Sequence, residues 1–342
     1  GMGLVEVDGG LFSQPIYVGD PGAKGARADD KVVMEMVRFP SNVRDGEGVI
    51  VEILGSRGDP GVDTLSIIRE FNLLEEFSGD VLDDARRQAQ EFDETIGPGR
   101  RDLTGETVIT IDPATARDFD DAISLVRLEN GHWLLGVHIA DVSHFVQEKS
   151  ALDREARDRA TSVYLPERVI PMLPEVISNN LASLQPDRVR YTVTAHIELT
   201  EEGVRIGAEV FKAAIKSCRR FTYEEVDEYL ADRKGWKQKL TPAVHRLLGD
   251  MHALAMKLRQ RRFHRGALEL SMPELQIDLD ADGRVTGAHL EENTESHQII
   301  EEFMLAANEA VAQWLADEGL YFLRRVHGSP DPRKLAALTE CV

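Results

Sequence analysis

Four carboxylates fall within ten residues of one stretch, Thr110-Ile111-Asp112-Pro113-Ala114-Thr115-Ala116-Arg117-Asp118-Phe119-Asp120-Asp121-Ala122. The run before it, Thr107-Val108-Ile109-Thr110-Ile111, is β-branched and reads as a buried strand. Pro113 has no N–H to give a ladder, so the strand should end there. Asp112 then stands at a strand end, and Asp118, Asp120 and Asp121 follow on a loop. A second apolar run, Ala122-Ile123-Ser124-Leu125-Val126, begins directly after Asp121. The acids are thus held between two strands, and any fold for this chain has to accommodate their mutual repulsion.

That repulsion is the chemical clue. Two carboxylates about 4 Å apart repel by roughly 1 kcal/mol in water and about 4 kcal/mol at an effective dielectric of 20. A bound cation offsets such a cost, and a purely oxygen donor set suits Mg²⁺ or Mn²⁺ better than zinc. Carboxylate-held Mg²⁺ is the usual partner of phosphate chemistry, where two ions can clamp an in-line displacement. The competing reading is a solvated acidic loop in which Asp121 caps a turn. The pattern I-D-P-x-x-A-x-D-x-D-D-A is much longer than a bare D-x-D-D.

This pattern resembles the catalytic signature of the RNB-type exoribonucleases, the ribonuclease II and ribonuclease R family. Other segments resemble that family in the same order: Val137 to Phe145 (VHIADVSHF), Ser162-Val163-Tyr164-Leu165-Pro166, Ile170-Pro171-Met172-Leu173-Pro174, Leu181-Ala182-Ser183-Leu184 and Ile300 to Asn308 (IEEFMLAAN). The likeness covers almost the whole chain and is nearer to ribonuclease R. It implies processive 3′→5′ hydrolysis of single-stranded RNA to nucleoside 5′-monophosphates. It also implies that Asp112, Asp118, Asp120 and Asp121 hold Mg²⁺ directly or through water. By the same resemblance Tyr164 stacks on the base near the RNA 3′ end, Tyr223 contacts the substrate near the scissile end, and Glu301 lies near the 3′ nucleotide. The chain departs from the family at one point: the aromatic that closes the stacking clamp aligns with Leu270, which packs on a base but does not stack as a π system. A later family segment, S-P-[IL]-R-[KR]-Y, and the S1 barrel after it find no counterpart, so the resemblance implies a chain cut within the catalytic domain.

Composition sets the bounds. The 342 residues, 42% hydrophobic, suffice for one large domain and a smaller one. Cys218 and Cys341 fit no metal spacing and suggest no disulfide framework, which points to a reducing cytoplasm. The longest apolar runs are far short of the roughly 20 residues of a membrane helix, so no membrane is expected. The net charge of −20 runs against nucleic acid as a global partner. Basic residues nevertheless cluster, Lys212, Lys216, Arg219 and Arg220 in one stretch and Lys257, Arg259, Arg261, Arg262 and Arg265 in another. Each cluster reads either as a solvated helix face or as part of a phosphate path.

Taken in order, the chain is expected to be α+β. Residues 1–75 read as short strands, among them Lys31 to Val37 and Gly48 to Leu54, and resemble the second cold-shock-type OB domain of ribonuclease R. Residues 76–98 form a linker, with a helix from Ser78 to about Glu94. Residues 99–342 form a mixed catalytic domain. In it His132 to Ile139 reads as a strand, 150–161 as a helix capped by Ser150, Val189 to Leu199 with Val204 to Ala213 as a hairpin, and Thr241 to His264 and Glu295 to Asp317 as long helices. His138 and His144 read as packed residues, Asp141 as a turn residue and Glu302 as ordinary helix polarity. Two other functions fit part of this pattern: an RNA-binding RNB-like protein without catalysis, and a Mg²⁺ phosphohydrolase of small phosphates.

Overall fold

A computed structural model describes residues 2–341 except 11, 13, 42, 269–273 and 327. The first lobe is a curved sheet of β1 (Gly3–Val5), β2 (Ile16–Val18), β3 (Asp30–Arg38) and β4 (Glu47–Ser56), in the order β1-β2-β4-β3. The antiparallel pair β3–β4 shifts register at three points. Each bulge bends the strand and increases its twist, which curls a small sheet toward a barrel. Helix α1 (Val62–Glu70) then packs against β3 and β4 with Val62 and Ile68 buried. The expectation for this region held only strands. Its Val-x-x-Leu-x-Ile-Ile run is β-branched, yet Val62, Leu65 and Ile68 repeat at helical spacing, and Gly61 supplies the left-handed turn (φ 79°) that lets the helix start.

Helix α2 (Gly79–Glu91) connects this lobe to the large sheet, beginning one residue after Ser78. That sheet contains β5 (Arg101–Leu103), β6 (Ile109–Asp112), β7 (Asp121–Arg127) and β8 (Trp133–Ala140). After β8 come the short helix α3 (Val142–Phe145), helix α4 (Ala151–Arg159), whose Ser150 cap accepts the Asp153 N–H at 3.1 Å, and the small hairpin β9 (Val163–Tyr164) and β10 (Val169–Ile170). The long hairpin β11 (Val189–Leu199) and β12 (Arg205–Lys216) and the short strand β13 (Arg219–Thr222) complete the sheet, in the order β13-β6-β7-β8-β11-β12-β5. Both edges are closed by parallel pairings between segments distant in sequence, β13 on β6 and β5 on β12.

Helices α5 (Tyr223–Ala231), α6 (Arg233–Trp236) and α7 (Pro242–His264) follow, then the hairpin β14 (Glu274–Leu279) and β15 (Val285–Glu291), α8 (Glu295–Asp317) and α9 (Pro332–Cys341). Helix α7 starts where Thr241 accepts the Val244 N–H with Pro242 in the first turn, an arrangement that needs no N–H from the proline. One face of the sheet buries Ile109, Ile111, Ile123, Leu135 and Ile197 against Leu247, Met251, Leu254, Ile299 and Phe303 of α7 and α8. The other buries Ala122, Ala140, Ala213 and Ile215 against Val81 and Ala85 of α2, Leu152 of α4 and Ile177. Strands covered on both faces read as continuous apolar runs. The acidic loop between β6 and β7 is therefore mounted on the most constrained part of the molecule.

Candidate active site

Asp112 is the last residue of β6 and faces Thr222 in the parallel register with β13. Asp121 is the first residue of β7, paired with Ile139, so it belongs to the strand and not to the preceding loop. The Ala140 N–H donates to the Asp120 carbonyl at 2.9 Å and ties that residue to β8. The loop itself is gripped by Ser183: its hydroxyl accepts the Phe119 N–H at 3.0 Å and donates to the Arg117 carbonyl at 2.9 Å, while the Leu184 N–H donates to the Phe119 carbonyl at 2.8 Å. The Leu-Ala-Ser-Leu segment thus acts as a backbone clamp on the acidic loop.

Electrostatics separate the four acids. Asp112 is buried, and its carboxyl is pushed up to about 7 by burial and by the nearby charges of Asp121 and Asp120, with the Thr110 hydroxyl and then Arg220 acting in the opposite direction. Asp121 is pushed up to about 6 by burial and by Asp120. Asp120 is raised by burial and Asp118. One carboxylate oxygen of Asp112 (Oδ2) and one of Asp121 (Oδ2) are buried without a hydrogen-bond partner. Unpaired buried carboxylate oxygens in an all-oxygen set fit a hard cation, which would favour the charged form that burial disfavours. Among the described residues no group of three or more His, Cys, Asp or Glu side chains already converges as a metal cage.

Tyr164 closes one side. It is 68% exposed, and its hydroxyl donates to Asp118 Oδ2 at 3.3 Å. The Met172 N–H donates to Ser162 Oγ at 3.0 Å, which fastens the Ser-Val-Tyr-Leu-Pro segment to the Ile-Pro-Met-Leu-Pro segment. Tyr223 opens α5 directly after Thr222, whose hydroxyl and the Glu225 side chain form a reciprocal cap. The Tyr223 ring stacks on His297 at 3.9 Å, and Glu301 lies one helical turn further along α8. Glu301 meets Arg262 at 3.0 Å. Glu302 departs from the expectation of ordinary surface polarity: it is 3% exposed and accepts from Arg262 at 2.7 and 2.9 Å. A buried carboxylate needs such a partner. Arg262 is therefore committed to two acids of α8, whereas the sequence allowed it as part of a phosphate path.

Of the residues set aside from chemistry, His138 and Asp141 are buried, whereas His144, expected to be packed, is exposed. His138 is fully buried between Ser124 (3.0 Å) and Thr194 (2.9 Å), and burial holds its ring down to about 3. His144 meets the rings of Tyr191 and Phe145 edge-on. Asp141 pairs with buried Arg100 at 2.6 Å; burial opposes its charge, but Ser143 and Arg100 outweigh that and bring its carboxyl below the usual range. Leu270 lies outside the described residues. Sequence reading did not single out Ser183 or His297, and it left Arg220 among a basic cluster. The parallel pairing that brings β13 beside β6 has no local sequence signal.

Residues 100–342 match the RNB domain family, and residues 5–78 match the cold shock domain family. The chain belongs to the RNB family. It is 39% identical over 340 residues to Ribonuclease R of Thermotoga maritima, covering 98% of this chain and 48% of that protein. To Ribonuclease R 2 of Lactococcus lactis it is 33% identical over 345 residues, covering 99% and 51%. The solved structure of Mycoplasma genitalium RNase R in complex with ribose methylated single-stranded RNA superposes with a TM-score of 0.87 at 27% identity, over 99% of this chain and 54% of that one. This RNB chain therefore spans about half the length of the curated relatives it matches. Its architecture is a cold-shock-type OB lobe followed by a mixed α/β RNB domain. No helix among the described residues is long and apolar enough to cross a membrane.

Proposed function

We propose that this RNB chain carries the hydrolytic centre of a processive 3′→5′ exoribonuclease that degrades single-stranded RNA to nucleoside 5′-monophosphates in the cytoplasm. The observation that carries the reading is the loop between β6 and β7, where Asp112 and Asp121 keep buried, unpartnered carboxylate oxygens and Asp118 receives the Tyr164 hydroxyl. Asp112, Asp118, Asp120 and Asp121 would hold Mg²⁺, with Mn²⁺ as a substitute, and the ion would supply charge neutralisation at the phosphate and activation of water. The chain's own groups do the rest. The exposed Tyr164 ring offers a stacking surface beside the acids. Stacking on an aromatic is worth roughly 1–3 kcal/mol per base and tolerates any base, as a sequence-blind nuclease requires. The Tyr223–His297 stack would face the scissile end, and Glu301, held by Arg262, would lie near the terminal nucleotide.

The test is digestion of a 5′-labelled homopolymer RNA with Mg²⁺, run beside a small phosphate ester. A ladder shortening from the 3′ end with release of 5′-monophosphates is expected. RNA retained without shortening would mark a binding protein, and turnover of the ester alone would mark a small-phosphate hydrolase.

A further inference from the structure

The acidic loop is gripped from two sides, and only one grip lies among the segments discussed as family-like. Opposite Ser183 stands Arg220 of β13. Its register partner on β6 is Thr110, two residues before Asp112. Its guanidinium Nη2 donates to the Pro113 carbonyl at 2.6 Å and to the Ala114 carbonyl at 3.1 Å. The same guanidinium carbon lies 4.9 Å from the centre of the Phe119 ring, between Asp118 and Asp120 in sequence. One side chain therefore touches the loop where it leaves Asp112 and again where it presents Asp118, Asp120 and Asp121. Its Nε is buried without a partner, as are Asp112 Oδ2 and Asp121 Oδ2.

We propose that Arg220 is a positioning residue that holds the 113–119 loop in the shape in which the four aspartates can receive a divalent cation. The inference rests on the reading of this loop as a cation site. Nη2 serves both carbonyls from the end of a planar group that also lies over Phe119, and this combination sets a backbone direction, which a flexible point charge does not. The alternative is that Arg220 is only a counter-charge for the acids. The two roles predict opposite signs. A counter-charge repels an incoming cation, so removing it tightens binding. A positioning group costs binding when it is lost, and groups that orient ligands are typically worth about 10–100-fold in metal affinity.

The experiment is Mn²⁺ titration followed by electron paramagnetic resonance on the complete chain, its Arg220→Lys and Arg220→Ala variants, and an Arg219→Ala control. Arg219 lies over Phe221 and Trp236, away from the loop. Both Arg220 variants are expected to bind Mn²⁺ at least about 10-fold more weakly than the wild type, and the control to bind unchanged. Lysine keeps the charge but has no planar group to lie over Phe119, so Arg220→Lys decides the matter even if Arg220→Ala does not fold. Unchanged affinity in Arg220→Lys with tighter binding in Arg220→Ala would overturn the inference in favour of a counter-charge. So would wild-type affinity in both. RNA cleavage is scored separately on the same samples, so a failure of the proposed function and a failure of this inference register on different readouts.

Discussion

At the scale of single residues, the acids divide the work between charge and geometry. Asp120→Asn removes one charge from the loop while keeping its volume and the Ala140-to-Asp120 backbone bond. Melting and RNA binding should stay as in the wild type, and cleavage should fall by on the order of 10²–10³, the scale seen when one preorganised electrostatic contact is lost. Unaltered turnover in a gel assay would remove Asp120 from the site. A pH dependence follows from Asp112 and Asp121. Both carboxyls are raised in the folded chain, to about 7 and about 6, so the stability they contribute is full below the unfolded value and is lost as pH rises through those values. In chelator, the melting temperature should therefore drop between roughly pH 4 and 7, and added Mg²⁺ should restore it most at the alkaline end. A Mg²⁺ effect that is larger at pH 5 would contradict the assignment. The positions of these acids were legible because a β-branched run, a proline and a D-x-D-D fall in immediate succession. Arg220 was not, because an arginine beside other basic residues reads as solvated until β13 is known to lie against β6.

At the scale of elements, the loop depends on a neighbour more than on itself. Ser183 is fully buried and bridges the Phe119 N–H and the Arg117 carbonyl. Ser183→Ala leaves both without that partner, at a cost of about 1–3 kcal/mol per buried unsatisfied group. Urea unfolding should show a loss of that size together with faster amide exchange at Phe119. Unchanged exchange at that amide would mean that Leu184 alone holds the loop. Most elements follow from local pattern: the caps at Ser150, Thr222 and Thr241 and the apolar spacing of α7 and α8 place those helices within a residue or two. Helix α1 escaped because its β-branched residues compete with its spacing. The hairpin β14–β15 was not among the expected elements, although Glu274 to Leu279 alternates polar and apolar residues; its Leu275, Ile277 and Leu290 remain exposed.

At the scale of the whole molecule, two arginines tie the OB lobe to the large domain: Arg168, which pairs with Glu75 at 2.5 Å, and Arg159. Arg159, at the end of α4, donates to the Leu74 carbonyl at 2.5 Å, the Glu76 carbonyl at 2.6 Å and the Pro171 carbonyl at 3.3 Å, pairs with Glu155 and lies over Phe77. Arg159→Ala should cost roughly 1.5–3 kcal/mol, since it removes charge-assisted bonds to three carbonyls, two of them at exposed positions. Limited proteolysis should then cut near residues 72–78 before the large domain is touched; an unaltered digestion pattern would show that the lobes are joined elsewhere. Fold class and domain order were readable from motif order, but the edges of the large sheet were not, because both rest on pairings between remote segments. The pairing of β13 with β6 also has a consequence in time. Strand β6 pairs on one side with the adjacent β7 but takes its other partner from about 110 residues further along the chain. Closing a loop of that length is an entropic cost that precedes any contact it brings. During synthesis, the acids at the end of β6 therefore emerge long before the strand that completes their surroundings. An ordered centre is therefore expected only once Arg219–Thr222 has docked beside β6. In pulse-labelled hydrogen exchange, the amides of β6 should gain protection after those of the β11–β12 hairpin.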